Sequence, residues 1–289
     1  MTKRIFAALL ASALLLSLCA CGQESNDPGK GDGTNEDFSM KAGLVDNIID
    51  FGVYDEHLQA DHANSDIPAI DTSEFFVIYP NLTTAMLALE KGEVDMLSLS
   101  KSTADYMVAH NDKFTLMSMP LEEGKVLVNK ISMLTTDTNT ELYEILNSGI
   151  KQLKENGTMD RLIEEDLKAF ITSDPTPSDL PTFEDAPTYK IAVTGDRPPM
   201  DFVTADGKAA GFNVALLTEI ANIAQVNFEI VQVDSEARLT ALASGNVDAV
   251  FWVATVDCMD CEKIIGAVPA GTLMTEDYFS EEVAFLVLK

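Results

Sequence analysis

Leu87-Ala-Leu-Glu-Lys-Gly-Glu-Val-Asp95-Met-Leu97 and Thr240-Ala-Leu-Ala-Ser-Gly-Asn-Val-Asp248-Ala-Val250 follow one pattern. In each, a helical apolar stretch ends at a glycine, Gly92 or Gly245, and a short apolar run follows an aspartate. Glycine accepts the left-handed backbone that stops a helix. A helix, a glycine stop and a short apolar strand make one α-to-β step of a parallel sheet. Asp95 and Asp248 open their strands, where a carboxylate is expected to hold turn amides rather than to catalyse.

Working outward from Asp248, Tyr189–Val193 reads as a buried strand and Thr194–Phe202 as a proline-rich loop. Phe212, Leu216, Ile220 and Ile223 have helical spacing over 212–224, Phe228–Val233 is a second strand, and Val247–Val253 a third. Arg238, on the helix between them, is expected at the surface. This βαβαβ order predicts an open twisted sheet with its ligand loops beyond the carboxyl ends of the strands. Around Asp95, strands are expected at Phe75–Tyr79 and Val94–Leu99, with a helix between them and another near Thr103–Ala109. Helices are then expected at Glu141–Glu155 and Met159–Phe170, with Thr138-Asn-Thr-Glu141 as a capping signal and Thr158 as a second cap. Four prolines in Ser173–Pro187 exclude helix and central strand there, so 173–187 is expected to link two folded segments.

The N-terminus has a separate job. Lys3 and Arg4 precede an apolar run, Ile5–Ala20, too short for a membrane span and patterned as a secretory signal. The run ends in Leu18-Cys19-Ala20-Cys21, which resembles the bacterial lipobox; that resemblance implies acylation of Cys21 after loss of residues 1–20. The alternatives are an ordinary signal cut near Ala20 and an uncut anchor. Residues 21–40 are polar and glycine-rich and read as a flexible tether. Cys258-Met-Asp-Cys261 is read as a local disulfide, with idle thiols and metal or redox chemistry as the other options.

With 47 Asp and Glu against 19 Lys and Arg, the chain carries a formal charge of −28. That excludes recognition of a nucleic acid through its phosphates, which needs clustered cations. It equally excludes a basic membrane-docking surface. An apolar fraction of 46% excludes wholesale disorder. His57 and His62 lie among Asp55, Glu56 and Asp61, but their spacing is not a helical i, i+4 pair, and an exposed polar stretch is expected rather than a metal site. His110 stands alone, and neither a nucleophile elbow nor a phosphate-cradling loop is present.

Residues 188–289 resemble the first half of the family 3 extracellular solute-binding proteins. The stretches that carry this are Asp196-Arg-Pro-Pro-Met-Asp-Phe202, Asp206-Gly207, Gly211–Leu216, Ala241–Asp248 and Thr275-Glu-Asp-Tyr-Phe279. The first segment resembles that family's second half through Ala88–Asp95, Ala104-Asp-Tyr106, Glu141-Leu-Tyr143 and Leu153–Leu162. The resemblance implies an α/β, two-lobed, periplasmic-binding-protein-like (type II) fold with its halves circularly permuted. Lobe 2 would span 41–127. Helices in 128–172 would return to lobe 1, and 188–289 would form the rest of lobe 1. Lys125–Met133 would cross between lobes, and Glu282–Lys289 would end at the hinge. The implied function is capture of a small solute outside the membrane, as a monomer, for the permease of an ABC importer. The membrane is reached only through the lipid anchor, with no cofactor. A surface sensor or scaffold is the alternative, and a small-acid dehydratase-like enzyme the third reading.

Two anchors of the amino-acid binders in that family are missing. The position of the carboxylate-binding Arg falls on Asp260, and that of the amine-binding Asp on Ser100. A bidentate guanidinium is hard to replace, so an ordinary α-amino acid is not the expected ligand. The candidate contacts lie at strand ends: Asp196, Arg197, Met200, Phe202 and Trp252 in lobe 1, Ser98 and Ser100 in lobe 2. Met200, Phe202 and Trp252 are each read as a cleft or a core residue. Arg197 is read as an anion contact or a solvated surface group.

Overall fold

The computed structural model describes residues 41–45, 76–117, 127–258 and 268–289. The chain begins with β1 (Ala42–Val45) and continues through β2 (Phe76–Tyr79), α1 (Leu82–Lys91), β3 (Met96–Ser100), α2 (Lys101–His110) and β4 (Phe114–Met117). β1 lies between β2 and β3 and is parallel to both. Asn81 starts α1, its Oδ1 accepting from Thr84 N at 2.9 Å. Gly92 ends it at φ 71°, the left-handed cap that the sequence signalled. The inner face of α1, Leu82, Ala85, Ala88 and Leu89, packs against Val94 and Leu97.

Lobe 1 opens with β5 (Leu127–Thr136), α3 (Thr140–Glu155) and α4 (Thr158–Leu162). The cap of α3 is Asn139, one residue into the signalled Thr138–Glu141 stretch, and Gly157 rather than Thr158 caps α4. The expected helix to Phe170 is α-helical only through Leu162; a π turn, Ile163–Leu167, and a 3-10 turn, Lys168–Phe170, complete it. Then come β6 (Thr188–Val193), β7 (Asp196–Arg197), β8 (Asp201–Val203), β9 (Ala209–Ala210), α5 (Phe212–Ala224), β10 (Asn227–Gln232), α6 (Arg238–Ala243), β11 (Ala249–Cys258), β12 (Thr272–Met274) and β13 (Phe279–Leu288). β6 lies between β10 and β11, parallel to both, the order seen around β1. The helices α3 and α4 pack on this lobe: Leu142, Leu146, Ile150 and Leu162 share a core with Leu216 and Ile220 of α5.

The paired aspartates do matching work. Asp95 Oδ2 accepts from Lys41 N, and Asp248 Oδ2 from Lys190 N, each at 2.7 Å. Each carboxylate thereby ties the start of the third strand of its lobe to the first.

Four features differ from the sequence reading. First, β1 was not anticipated; it is four residues long and includes Gly43, so its apolar signal is weak. Second, β11 extends to Cys258, with a register irregularity between Val250 and Val253 that carries Trp252 within the strand rather than at its end. Third, Arg238 is not at the surface but fully buried; it donates to the carbonyls of Ser235 and Phe251, which makes a buried guanidinium tolerable. Fourth, the C-terminal strand does not end at the hinge. Residues 279–282 of β13 pair with β5, and 283–288 pair with β3 and β4. The last residues therefore belong to the lobe 2 sheet, and lobe 2 is not continuous in sequence. The proline-rich segment is itself packed: Leu180 and Phe183 lie against the lobe 1 core, and the Asn227 amide bonds the backbone of Phe183 at both ends.

The close approach at β1 yields a test. A Cβ on Gly43 would lie 2.5 Å from Leu97 Cδ2 and 3.1 Å from the Tyr79 ring. Gly43→Val is expected to destabilise the protein by about 1–3 kcal/mol through overpacking, read as a lower urea midpoint with an unchanged m-value.

Candidate functional site

The loop after β6 is built around a buried carboxylate. Asp201 is fully buried; its Oδ1 accepts from Thr194 Oγ1 at 2.7 Å and Gly195 N at 2.5 Å, and its Oδ2 from Asn213 Nδ2 at 3.1 Å. A carboxylate so engaged fixes the loop and the short β7–β8 ladder, in which Asp196 lies opposite Phe202. The loop thus presents Asp196 and Arg197 at the carboxyl end of the lobe 1 sheet.

Both residues face the other lobe. Asp196 Oδ2 accepts from Leu82 N at 2.7 Å and Thr83 N at 3.3 Å, the opening amides of α1. The positive end of a helix dipole favours an anion there. Burial raises the Asp196 pKa, and the neighbouring Arg197 charge opposes that rise. Beside it, Ser235 N donates to Pro80 O at 2.9 Å and Asn81 Nδ2 to Asp234 Oδ1 at 3.3 Å. Together these contacts join the first turn of α1 and the turn before it to the loops that follow β6 and β10. A further link joins Tyr106 of α2 to Asp174, at 2.6 Å.

Between the lobes lies a cavity of about 20 Å³ lined by Val45, Leu82, Ser98, Leu99, Ser100, Thr103 and Arg197. Arg197 comes from lobe 1 and is 5% exposed, its Nη2 donating to Ser235 Oγ at 2.8 Å. Ser98 and Ser100 project from the same face of β3, two residues apart. The structure therefore brings together Arg197, Ser98 and Ser100 of the sequence candidates, and Arg197 is a buried group rather than a solvated one. Asp196 lies alongside as a latch. Met200 is fully buried in the lobe 1 core with Phe212 and Phe251, which corrects its placement as a cleft contact: it fills space beneath the loop. Phe202 is partly buried on β8 and does not line the cavity. The Trp252 side chain lies outside the described residues, as do Cys21 and Cys261; Cys258 is the last residue of β11. Among the described residues no cluster of three or more His, Cys, Asp or Glu is arranged to hold a metal, and no helix is long and apolar enough to cross a membrane.

Sequence reasoning missed three residues. Thr103 lines the cavity from the first turn of α2, and Ser235 holds Arg197. Glu281 sits where β13 passes from one sheet to the other. Its carboxylate accepts from Ser102 N at 2.8 Å and Ser102 Oγ at 2.9 Å, while Asn129 Nδ2 of β5 reaches Ser100 Oγ at 3.4 Å. Burial pushes the Glu281 carboxyl up to about 7; the bonds from Ser102 and Ser100 oppose this, and the charge of Asp105 adds to it. In the sequence Glu281 is one of two adjacent acids, Glu281-Glu282, and nothing local singles it out.

Two tests follow from this geometry. A carboxyl whose folded pKa is raised contributes stability below its unfolded pKa, and loses it as pH rises through the folded value. Glu281 thus favours the folded chain in mild acid, and its contribution falls between about pH 4.5 and pH 7. Subtracting the melting temperatures of Glu281→Gln from those of the parent across this window should leave a difference that declines with pH. A flat difference would exclude the assignment. Asp196→Ala should cost about 1 kcal/mol, as loss of a helix cap does, and should enlarge the radius of gyration in small-angle scattering as the latch opens.

Among curated proteins, none matches the chain in sequence. Solved structures with a similar fold include the periplasmic aliphatic sulphonate binding protein SsuA from Escherichia coli. It is 13% identical with a TM-score of 0.35, over 86% of this chain and 64% of that protein, so the chain spans less than two thirds of its length. The ligand binding component of an ABC-type import system from Staphylococcus aureus, with zinc bound, gives 11% identity and a TM-score of 0.36 over 86% of this chain and 65% of that one. The GluR0 ligand-binding core from Nostoc punctiforme, in complex with L-glutamate, gives 8% and 0.33 over 86% and 85%. Residues 189–258, from β6 through β11, match the bacterial extracellular solute-binding proteins, family 3.

Proposed function

We propose that this protein is an extracytoplasmic solute-binding component of an ABC importer, and that its solute is enclosed between the two lobes. The observation that carries the reading is the buried guanidinium of Arg197. It projects from the carboxyl end of one parallel sheet into a cavity whose remaining walls, Ser98, Ser100 and Thr103 among them, come from the other lobe. Residues converge in this way when lobe closure and ligand enclosure are one event. The family match over 189–258 supports it from the sequence side. No catalytic pair is assigned; the acids of the site are engaged as a latch, a loop anchor and a hinge contact.

Three finer points belong to the same proposal. Cys21 is lipidated and residues 21–40 tether the domain to the outer face of the membrane. The chain acts as a monomer. Its halves stand in permuted order, which the matching strand order in the two lobes and the shared strand β13 support.

The test is ligand-dependent stabilisation of the full-length chain, because a solute that binds the native state raises the melting temperature by mass action. A screen of amino acids, amines, carboxylates and short peptides should give at least one stabilising compound, and Ser98→Ala with Ser100→Ala should reduce that shift. Absence of any shift would favour the sensor or scaffold reading. For the anchor, labelled palmitate should enter the parent protein and not Cys21→Ala, and the variant should partition into the soluble fraction.

A further inference from the structure

We infer that Glu281 sets the direction of the Ser100 hydroxyl, so that the cavity between the lobes offers a hydrogen-bond acceptor at Ser100 when Glu281 is ionised and a donor when it is protonated. This rests on the solute-binding reading and adds a regulation of that site. Glu281 does not line the cavity; it is a positioning residue that acts through Ser100.

Three observations lead to it. The first is the start of α2. Ser100 stands in the capping position, where a serine hydroxyl commonly accepts from an amide of the first turn, yet it makes no such bond. Glu281 takes the Ser102 amide instead, at 2.8 Å, and the Ser102 hydroxyl at 2.9 Å. That carboxylate comes from β13, opposite Asn129 of β5. The Ser100 hydroxyl is thereby left to join the cavity to the carboxylate: Ser100 lines the cavity, bonds Glu281, and accepts from Asn129 Nδ2 at 3.4 Å.

The second is the count of protons. A hydroxyl has one proton and two lone pairs, and an ionised carboxylate only accepts. While Glu281 is ionised, the Ser100 proton is committed to it and Asn129 uses one lone pair, so Ser100 meets the cavity as an acceptor. A protonated Glu281 carries an O–H of its own. The Ser102 amide can only donate, so that O–H turns to a serine hydroxyl. The neutral acid is also the weaker acceptor, because charge-assisted hydrogen bonds are roughly twice as strong as neutral ones. Both changes release the Ser100 proton to the cavity. The third is the setting. Burial pushes the Glu281 carboxyl up to about 7 against the bonds from Ser102 and Ser100, and the charge of Asp105 adds to the rise, so the change falls near neutral pH. From α2 the charged groups are Asp105 and Lys101, joined to each other at 2.6 Å. Tyr278, just before β13, also lies near, and burial keeps its hydroxyl protonated. Arg197 lines the same cavity as Ser100. β5 and β3 meet Glu281 with the neutral side chains of Asn129 and Ser100, while Lys130 and Glu282 fall on the other face of their strands.

The experiment is a carbon-13 NMR titration of the full-length chain across a window centred on about pH 7, following the Glu281 carboxyl carbon and the Ser100 Cβ. Both are expected to move with one midpoint. The Ser100 Cβ should stop moving in Glu281→Gln, which is nearly isosteric and fixed in the neutral form. Two probes are then titrated on each side of the midpoint by ligand-observed NMR: methylammonium, which only donates, and N,N-dimethylacetamide, which only accepts. Methylammonium should bind about threefold to tenfold tighter above the midpoint, and dimethylacetamide by a similar factor below it, the worth of one net hydrogen bond. Glu281→Gln and Ser100→Ala should each flatten both profiles. A Glu281 carbon that titrates without Ser100, or that does not titrate in the window, overturns the inference. So do flat probe profiles in the parent. So does a methylammonium profile that survives in Ser100→Ala, since the Glu281 charge would then act directly. If Glu281 and Ser100 titrate together but neither probe nor any compound of the wider screen binds, the solute-binding reading falls and the link from Glu281 to Ser100 is upheld.

Discussion

One strand serves two sheets. β13 donates and accepts along β5 over residues 279–282, and along β3 and β4 over 283–288, so a single ten-residue run satisfies backbone groups in both lobes. Backbone hydrogen bonds are obligatory for buried strands, and breaking either end would strand a row of them. The pairing of β13 passes from one sheet to the other at residues 282–283. Glu281 is placed at the changeover and reaches α2 through Ser102.

The same constraint sets what the cleft contains. Parallel strands send the loops that follow them to one end, and those ends of the two lobes meet here. Pro80-Asn81 after β2 consequently meets Asp234-Ser235 after β10, and Asp196 meets the start of α1. Charges buried on closure must find partners or cost several kcal/mol. Asp196 has the helix amides, and Arg197 has Ser235 and the cavity with its hydroxyl-bearing wall.

Much of the architecture was legible from local chemistry. Gly92 and Gly245 stop their helices, Asp95 and Asp248 hold the neighbouring strand starts, and α5 covers the stretch its periodicity marked. These depend on neighbours close in sequence or on one repeated step. β1 was not legible, since four residues around a glycine carry little pattern. The true extent of β11 was not either, because its outer half is defined by pairing with β5 from more than a hundred positions earlier. Arg238 looked like a surface residue because its partners, the carbonyls of Ser235 and Phe251, carry no sequence signature.

The site divides along the same line. From the sequence alone came the candidate loop 194–202, the serines at the end of β3, the acidity of the domain and the absence of the usual charged anchors. Each follows from residue type and spacing within one lobe. Only the tertiary structure decided that Arg197 and Asp196 cross to the other lobe, that Met200 lies beneath the loop, and that Thr103 and Glu281 take part. Those roles arise from contacts between lobes. Whether two loops far apart in sequence meet depends on the path of a strand shared by both sheets, and no local pattern of side chains encodes that path.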